Sequence, residues 1–133
     1  MEGKGKAMPH TIIYNPEKQV IELKVQGDLT LDYFKEILKE NVLAIKEKGG
    51  TCVLHDYREA NFKLSTSEIY QMPGIVIDTF ASFGLNARVI KRLAVVAKDY
   101  KDARFLETVF VNNALDLKIS RDVNEAKQWV CGK

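Results

Sequence analysis

Cys52, His55 and Asp56 fall within one short stretch, TCVLHDY (51–57). They are the residue types that a nucleophile, a general base and an orienting carboxylate would use. The stretch itself reads as a β-strand, and side chains alternate faces along a strand. Cys52 and Asp56 therefore point one way and His55 the other, so no Cys–His dyad is expected. Cys52 reads as a small buried hydrophobe and His55 as a polar strand end.

Asp56, Arg58 and Glu59 follow at the expected end of that strand. In open α/β sheets ligands collect beyond the carboxyl ends of the strands. Arg58 can either hold an anion there or pair with Asp56 or Glu59. Asp28 and Asp99 occupy comparable positions after other strands; they read mainly as cap residues, with an acidic rim around Asp56 as the other reading. Ser65, Thr66 and Ser67 open a helix, and a helix N-terminus suits either capping or an anion. No Gly-rich phosphate loop, HExxH or GxSxG occurs. Two Cys and two His, with no CxxC spacing, are too few and too scattered for a zinc site. Neither a metal nor a cofactor is expected, and no catalytic residue is assigned.

The elements that must position these residues follow from periodicity. Thr11–Tyr14 and Gln19–Gln26 read as a β-hairpin around Asn15-Pro16-Glu17-Lys18, with Ile21, Leu23 and Val25 on one face. Thr30 caps an amphipathic helix bearing Leu31, Phe34, Ile37, Leu38, Val42 and Ile45, which ends at Gly49-Gly50. Ser65–Glu68 is a capping box, but the helix it opens meets Pro73-Gly74. A proline removes a backbone donor and clashes one turn back, so a broken helix is expected, its second piece running from about Ile75 to Phe83. Leu93–Ala97 is an apolar run suited to a strand covered on both faces. A helix with Leu106, Val109, Phe110 and Asn113 inward follows, with Ala103 and Ala114 extending the stripe. Leu115–Ile119 then forms a strand, and Asp122–Glu125 is a second capping box opening a helix with Ala126, Trp129 and Val130 inward. The order is β-β-α-β-α-β-α-β-α. It predicts an α/β fold: a mostly parallel sheet of about five strands, an N-terminal hairpin and about four helices.

The chain of 133 residues is 46% hydrophobic and 29% charged, the composition of one ordinary globular domain and not of a disordered or fibrous chain. Its 20 basic and 18 acidic side chains nearly balance. The positive excess lies around Arg88, Lys91, Arg92, Lys98, Lys101 and Arg104. A strand from Arg88 to Lys98 would separate its ends by roughly 33 Å, which argues against a single nucleic-acid groove. No apolar run is long enough for a membrane helix, and stable membrane insertion is not expected. With no signal peptide at the start of the sequence and few cysteines, a cytoplasmic location follows by elimination.

Three stretches carry a resemblance to a known family: VQGDLTLDYF (25–34), CVLHDYREAN (52–61) and ARFLETVFVNNALDLKISRDVNEAKQWV (103–130). In this order they resemble the STAS-domain fold, within it the SpoIIAA-like family that includes the bacterial anti-sigma-factor antagonists. The resemblance implies residues 11–133 as a single STAS-like domain, with residues 1–10 a disordered or vector-derived extension. It further implies a small module that works by binding rather than catalysis. In the antagonists, a serine or threonine in an Asp-Ser-x-Gly context, at the start of the helix after the third strand, is phosphorylated. Lys63–Glu68 lacks both the Asp-Ser and the Gly, so no phosphosite is carried over.

The remaining signal is apolar excess. Met72, Ile75, Val76, Ile77, Phe80 and Phe83 flank the Pro-Gly pair, and three consecutive branched residues cannot all face one side. Such a helix is either buried or a docking surface. The expected function is a non-catalytic regulatory or protein-interaction module, acting on a protein partner or by self-association. The alternative is a carrier or sensor of an apolar, lipid-like small molecule beside the broken helix at 65–84, and the third reading is an enzyme built on Asp56 and Arg58. Candidate surface residues are Asp56, Arg58, Ser65, Thr66, Ser67, Met72, Ile75, Val76, Phe80 and Phe83.

Overall fold

A computed structural model describes residues 10–17, 19–49, 52–87, 92–97, 100–113 and 115–130. Strands and helices follow as β1 (His10–Asn15), β2 (Val20–Leu29), α1 (Leu31–Lys48), β3 (Cys52–Phe62), α2 (Thr66–Ser82), β4 (Arg92–Val96), α3 (Tyr100–Asn112), β5 (Leu117–Ser120) and α4 (Val123–Val130). The sheet order is β1-β2-β3-β4-β5. β1 pairs antiparallel with β2, and the other neighbours are parallel. This is the expected α/β architecture. The expectations for residues 1–9, Asp99, Ala114 and most of the basic run (Arg88, Lys91, Lys98) lie outside the described residues.

The period-2 pattern of β2 places Ile21, Leu23 and Val25 at full burial, facing α1, α2 and α3 in the main core. The opposite sheet face carries Val20, Leu54, Ala94 and Val96, which pack with Ala126 and Val130 of α4 in a smaller core. Helix α1 begins where Thr30 Oγ1 accepts the Tyr33 amide and ends at Gly49, whose φ of 74° is left-handed, a conformation that favours glycine. His10 ties β1 to α1 through Nε2 and Glu40 Oε2, 2.9 Å apart.

Two strands run past their expected ends. β3 does not stop at Tyr57 but continues to Phe62, and β2 runs on through Gly27 and Asp28 to Leu29. Between the Lys24–Asp56 and Gln26–Glu59 pairs, β2 has one residue, Val25, and β3 has two, Tyr57 and Arg58. This β-bulge absorbs one residue, so that Tyr57 before it and Ala60 after it are both buried on the core face.

Helix α2 is not broken: Pro73 and Gly74 lie within a continuous helix. Ile69, Met72, Val76 and Phe80 recur every three or four residues and are all buried. Each contributes about 1.5–3 kcal/mol by burial, which together outweighs the roughly 3 kcal/mol cost of an interior proline. Ile75 and Ile77, flanking Val76, are half-buried against the same core. The capping box at its start is complete: Glu68 N donates to Ser65 Oγ at 3.1 Å and Ser65 N to Glu68 Oε1 at 2.8 Å.

The second predicted capping box takes another form. Asp122 Oδ1 accepts from the Asn124 and Glu125 amides, but the Glu125 carboxylate accepts from Ser120 Oγ. Trp129 is only half-buried, with Arg92 5.2 Å and Lys118 5.8 Å from its ring centroid. Asn113 is exposed rather than inward, its Nδ2 donating to the Val109 carbonyl.

Candidate functional site

The bulge in β3 places Asp56 and Arg58 within the strand rather than beyond its end. Arg58 Nε donates to Asp56 Oδ1 at 2.9 Å, Nη2 to Oδ2 at 2.8 Å, and the Arg58 amide to Oδ1 at 3.1 Å. The guanidinium fork is thereby used on its own chain. Burial alone would raise the Asp56 carboxyl, but the bonds from Arg58 and the charges of Arg58 and Lys24 outweigh it and hold it below its ordinary value. Glu59 lies alongside, bonded by Gln26 Nε2 and 3.5 Å from Lys24 Nζ. Asp28 lies within β2 rather than at a helix cap, accepts from Asn61, and stands four residues along β2 from the Lys24 that faces Asp56, roughly 13 Å away. No acidic rim assembles from Asp28 and Asp56.

Cys52 and His55 point to opposite faces, as alternation requires: Cys52 packs with the α4 core, while His55 lines a cavity on the other face. That cavity lies at the centre of the main core. Its floor is His55 and Tyr57 of β3, Leu93 and Val95 of β4 and Leu117 of β5. Phe34, Leu38 and Asn41 of α1 form one wall, and Leu106 and Phe110 of α3 another. Met72, Val76 and Phe80 of α2 form the roof. Its volume is about 30 Å³.

Three polar side chains stand in this apolar surround. His55 Nδ1 and the Tyr57 hydroxyl are 2.7 Å apart. His55 Nε2 and Asn41 Oδ1 are both buried with no hydrogen-bond partner among the described residues. Burial pushes the His55 pKa down to about 4 and raises that of Tyr57, so both are neutral near pH 7. Sequence reasoning missed Asn41 and Tyr57. The signal was present: Asn41 sits on the inward stripe of α1, between Leu38 and Ile45, and Tyr57 shares the core-facing parity of Val53.

The remaining candidates divide. Met72, Val76 and Phe80 are buried, and Ile75 and Phe83 are half-buried. Ser65, Thr66 and Ser67 are exposed at the start of α2. Beside them Tyr70 is 63% exposed, its ring packed at 90° on Phe105 of α3 with centroids 5.2 Å apart. Tyr70 was also missed, although it falls off the Ile69–Met72–Val76–Phe80 stripe. Among the described residues, no cluster of three or more His, Cys, Asp or Glu is placed to hold a metal, and no helix is long and apolar enough to cross a membrane.

No protein-family profile matches the chain, and no curated protein matches it. Solved structures do. An uncharacterized protein of the DUF3478 family with a SpoIIAA-like fold, from Shewanella loihica PV-4, is similar with a TM-score of 0.60 at 16% identity, over 98% of this chain and 99% of its own. An anti-sigma factor antagonist from Mycobacterium paratuberculosis is similar with a TM-score of 0.59 at 13% identity, over 97% and 98%. The chain has a SpoIIAA-like, STAS-type fold.

Proposed function

We propose that the chain is a non-catalytic regulatory module of the STAS type, acting in the cytoplasm and without a cofactor. It binds a protein, either a different one or a second copy of itself, through the outward side of α2. The whole-length likeness to an anti-sigma factor antagonist supports a binding role. The observation that carries the surface is Tyr70, a large aromatic side chain exposed and braced against Phe105 near the exposed residues Thr66 and Ser67. Rigid, amphipathic tyrosines are among the side chains that dominate binding energy at interfaces. An enzyme built on Asp56 and Arg58 is disfavoured, because the two groups are engaged with each other.

Affinity capture with the full chain, alongside its Tyr70→Ser and Thr66→Glu variants, tests this reading, with native mass spectrometry to register self-association. Both variants should lose the same partner, or the dimer, while keeping the wild-type Tm. Identical capture and oligomeric state in all three proteins would sink it. A second reading, sensing of an apolar small molecule, is supported by the cavity beneath α2 and its two unpartnered polar atoms.

A further inference from the structure

Buried polar atoms are rarely left without partners, and an unmet one costs about 1–3 kcal/mol. Asn41 Oδ1 and His55 Nε2 are two such atoms, on different elements, lining one cavity. Their hydrogen-bonding sense depends on Tyr57. With its hydroxyl donating to His55 Nδ1, His55 carries its proton on Nε2 and the cavity presents the donor His55 Nε2–H and the acceptor Asn41 Oδ1; with Nδ1–H donating to the hydroxyl, the phenol hydrogen is the donor and His55 Nε2 joins Asn41 Oδ1 as an acceptor. A hydroxyl group complements either arrangement, because it can both accept and donate. Among the described residues no Lys, Arg, Asp or Glu lines the space, and an unpaired charge in such surroundings is strongly disfavoured.

We infer that the cavity beneath α2 is a binding site for an uncharged, largely apolar small molecule that presents one hydroxyl to Asn41 and His55. The inference rests on the small-molecule reading and gives it a ligand class. At about 30 Å³ the space holds about one water, whereas a cavity that admits benzene is about 150 Å³. The roof must therefore yield. It is formed by α2, whose interior Pro73 lacks the amide that would bond the Ile69 carbonyl, and by Met72, an unbranched side chain that repacks readily. A second hollow of about 20 Å³ shares Val76, Leu93 and Phe110 with the first and has exposed Asp116 in its lining.

The test is titration of the isotope-labelled full chain at neutral pH with benzyl alcohol, toluene and benzoate, followed through the His55 ring, the Tyr57 ring and the Met72 methyl. Benzyl alcohol and toluene should give saturable shifts at these three groups, and benzoate none. Asn41→Leu should weaken benzyl alcohol about threefold to tenfold, the contribution of one neutral hydrogen bond, and leave toluene unchanged. Met72→Ala, which widens the roof, should tighten both. If neither benzyl alcohol nor toluene saturates, or if Met72→Ala changes neither, the proposal and the small-molecule reading both fail. If toluene binds but benzoate matches benzyl alcohol, or Asn41→Leu holds benzyl alcohol as before, the hydroxyl assignment fails and an apolar site remains.

Discussion

The Arg58 guanidinium grips the carboxylate of Asp56, two residues upstream, by two parallel bonds of 2.9 and 2.8 Å, while the Arg58 amide donates to the same group at 3.1 Å. Arg58 is one of the two β3 residues that face Val25 at a parallel-strand bulge, and its amide is held by the Asp56 carboxylate. The Asp56 side chain is 12% exposed and that of Arg58 44%, so screening discounts the ion pair itself to about 1 kcal/mol or less. Asp56→Ala should cost more, about 1–3 kcal/mol in urea unfolding, because it also removes the carboxylate's bond to the bulge amide. Arg58→Ala should cost about 1 kcal/mol or less. Equal costs for the two variants would show that the amide bond contributes nothing.

This bulge also marks where the sequence stopped being legible. Alternation correctly placed Ile21, Leu23 and Val25 in the core and separated Cys52 from His55. Period-2 reasoning fails at the residue where a strand gains one, because Arg58 and Glu59 look like two successive polar residues after a finished strand. Only the register with Gln26, Gly27 and Asp28 reveals that β3 continues. The error at Pro73 has the opposite origin: a local rule was overridden by burial of the surrounding stripe, a tertiary effect that proline chemistry does not contain. An apolar ligand site beside the 65–84 helix was among the expectations, but its polar set was not legible, because Asn41, His55 and Tyr57 come from α1 and β3 and only the packing of α1 on the sheet brings them to one space.

Ser65 and Glu68 close a reciprocal cap on α2, and both amides they satisfy belong to the first turn. Ser65→Ala should destabilise the chain by about 1 kcal/mol, read as a lowered urea midpoint at unchanged slope. Thr66→Ala and Ser67→Ala, which remove exposed hydroxyls outside the cap, should stay within about 0.5 kcal/mol of wild type. A cost at Thr66 equal to that at Ser65 would show that the helix starts elsewhere.

Acid should destabilise the protein in two separable windows. His55 is neutral in the fold, with a pKa near 4 against 6.5 for an unburied imidazole. Between those values the unfolded chain binds a proton that the native chain does not, so stability falls as pH drops from about 6.5 to 4. Each tenfold difference in proton affinity between the two states corresponds to about 1.4 kcal/mol, giving a loss on the order of 3 kcal/mol. Asp56 acts lower. Its carboxyl lies below 3.8 in the fold, so its stabilisation is present above that value and is lost as pH falls through the depressed one. The double variant His55→Leu/Tyr57→Phe removes the buried imidazole without orphaning the phenol. Denaturant unfolding between pH 6.5 and 4 should show a smaller pH slope in this variant than in wild type; parallel curves would mean that His55 is not the group responsible.

Pro73 is buried inside α2, where it can neither donate to the Ile69 carbonyl nor avoid crowding it. Pro73→Ala restores that donor and removes the crowding, a gain of about 3 kcal/mol on helix-interior scales. It also removes roughly two buried methylenes at about 0.8 kcal/mol each. The difference leaves the variant about 1 kcal/mol more stable by urea unfolding. A firmer α2 is also a firmer roof for the cavity formed with Met72, Val76 and Phe80. The same substitution should therefore weaken binding of benzyl alcohol while it raises Tm. A variant that lost stability would show that the proline ring fills space in the core that alanine leaves empty. One that gained stability and bound benzyl alcohol as tightly as wild type would show that the ligand enters without movement of α2.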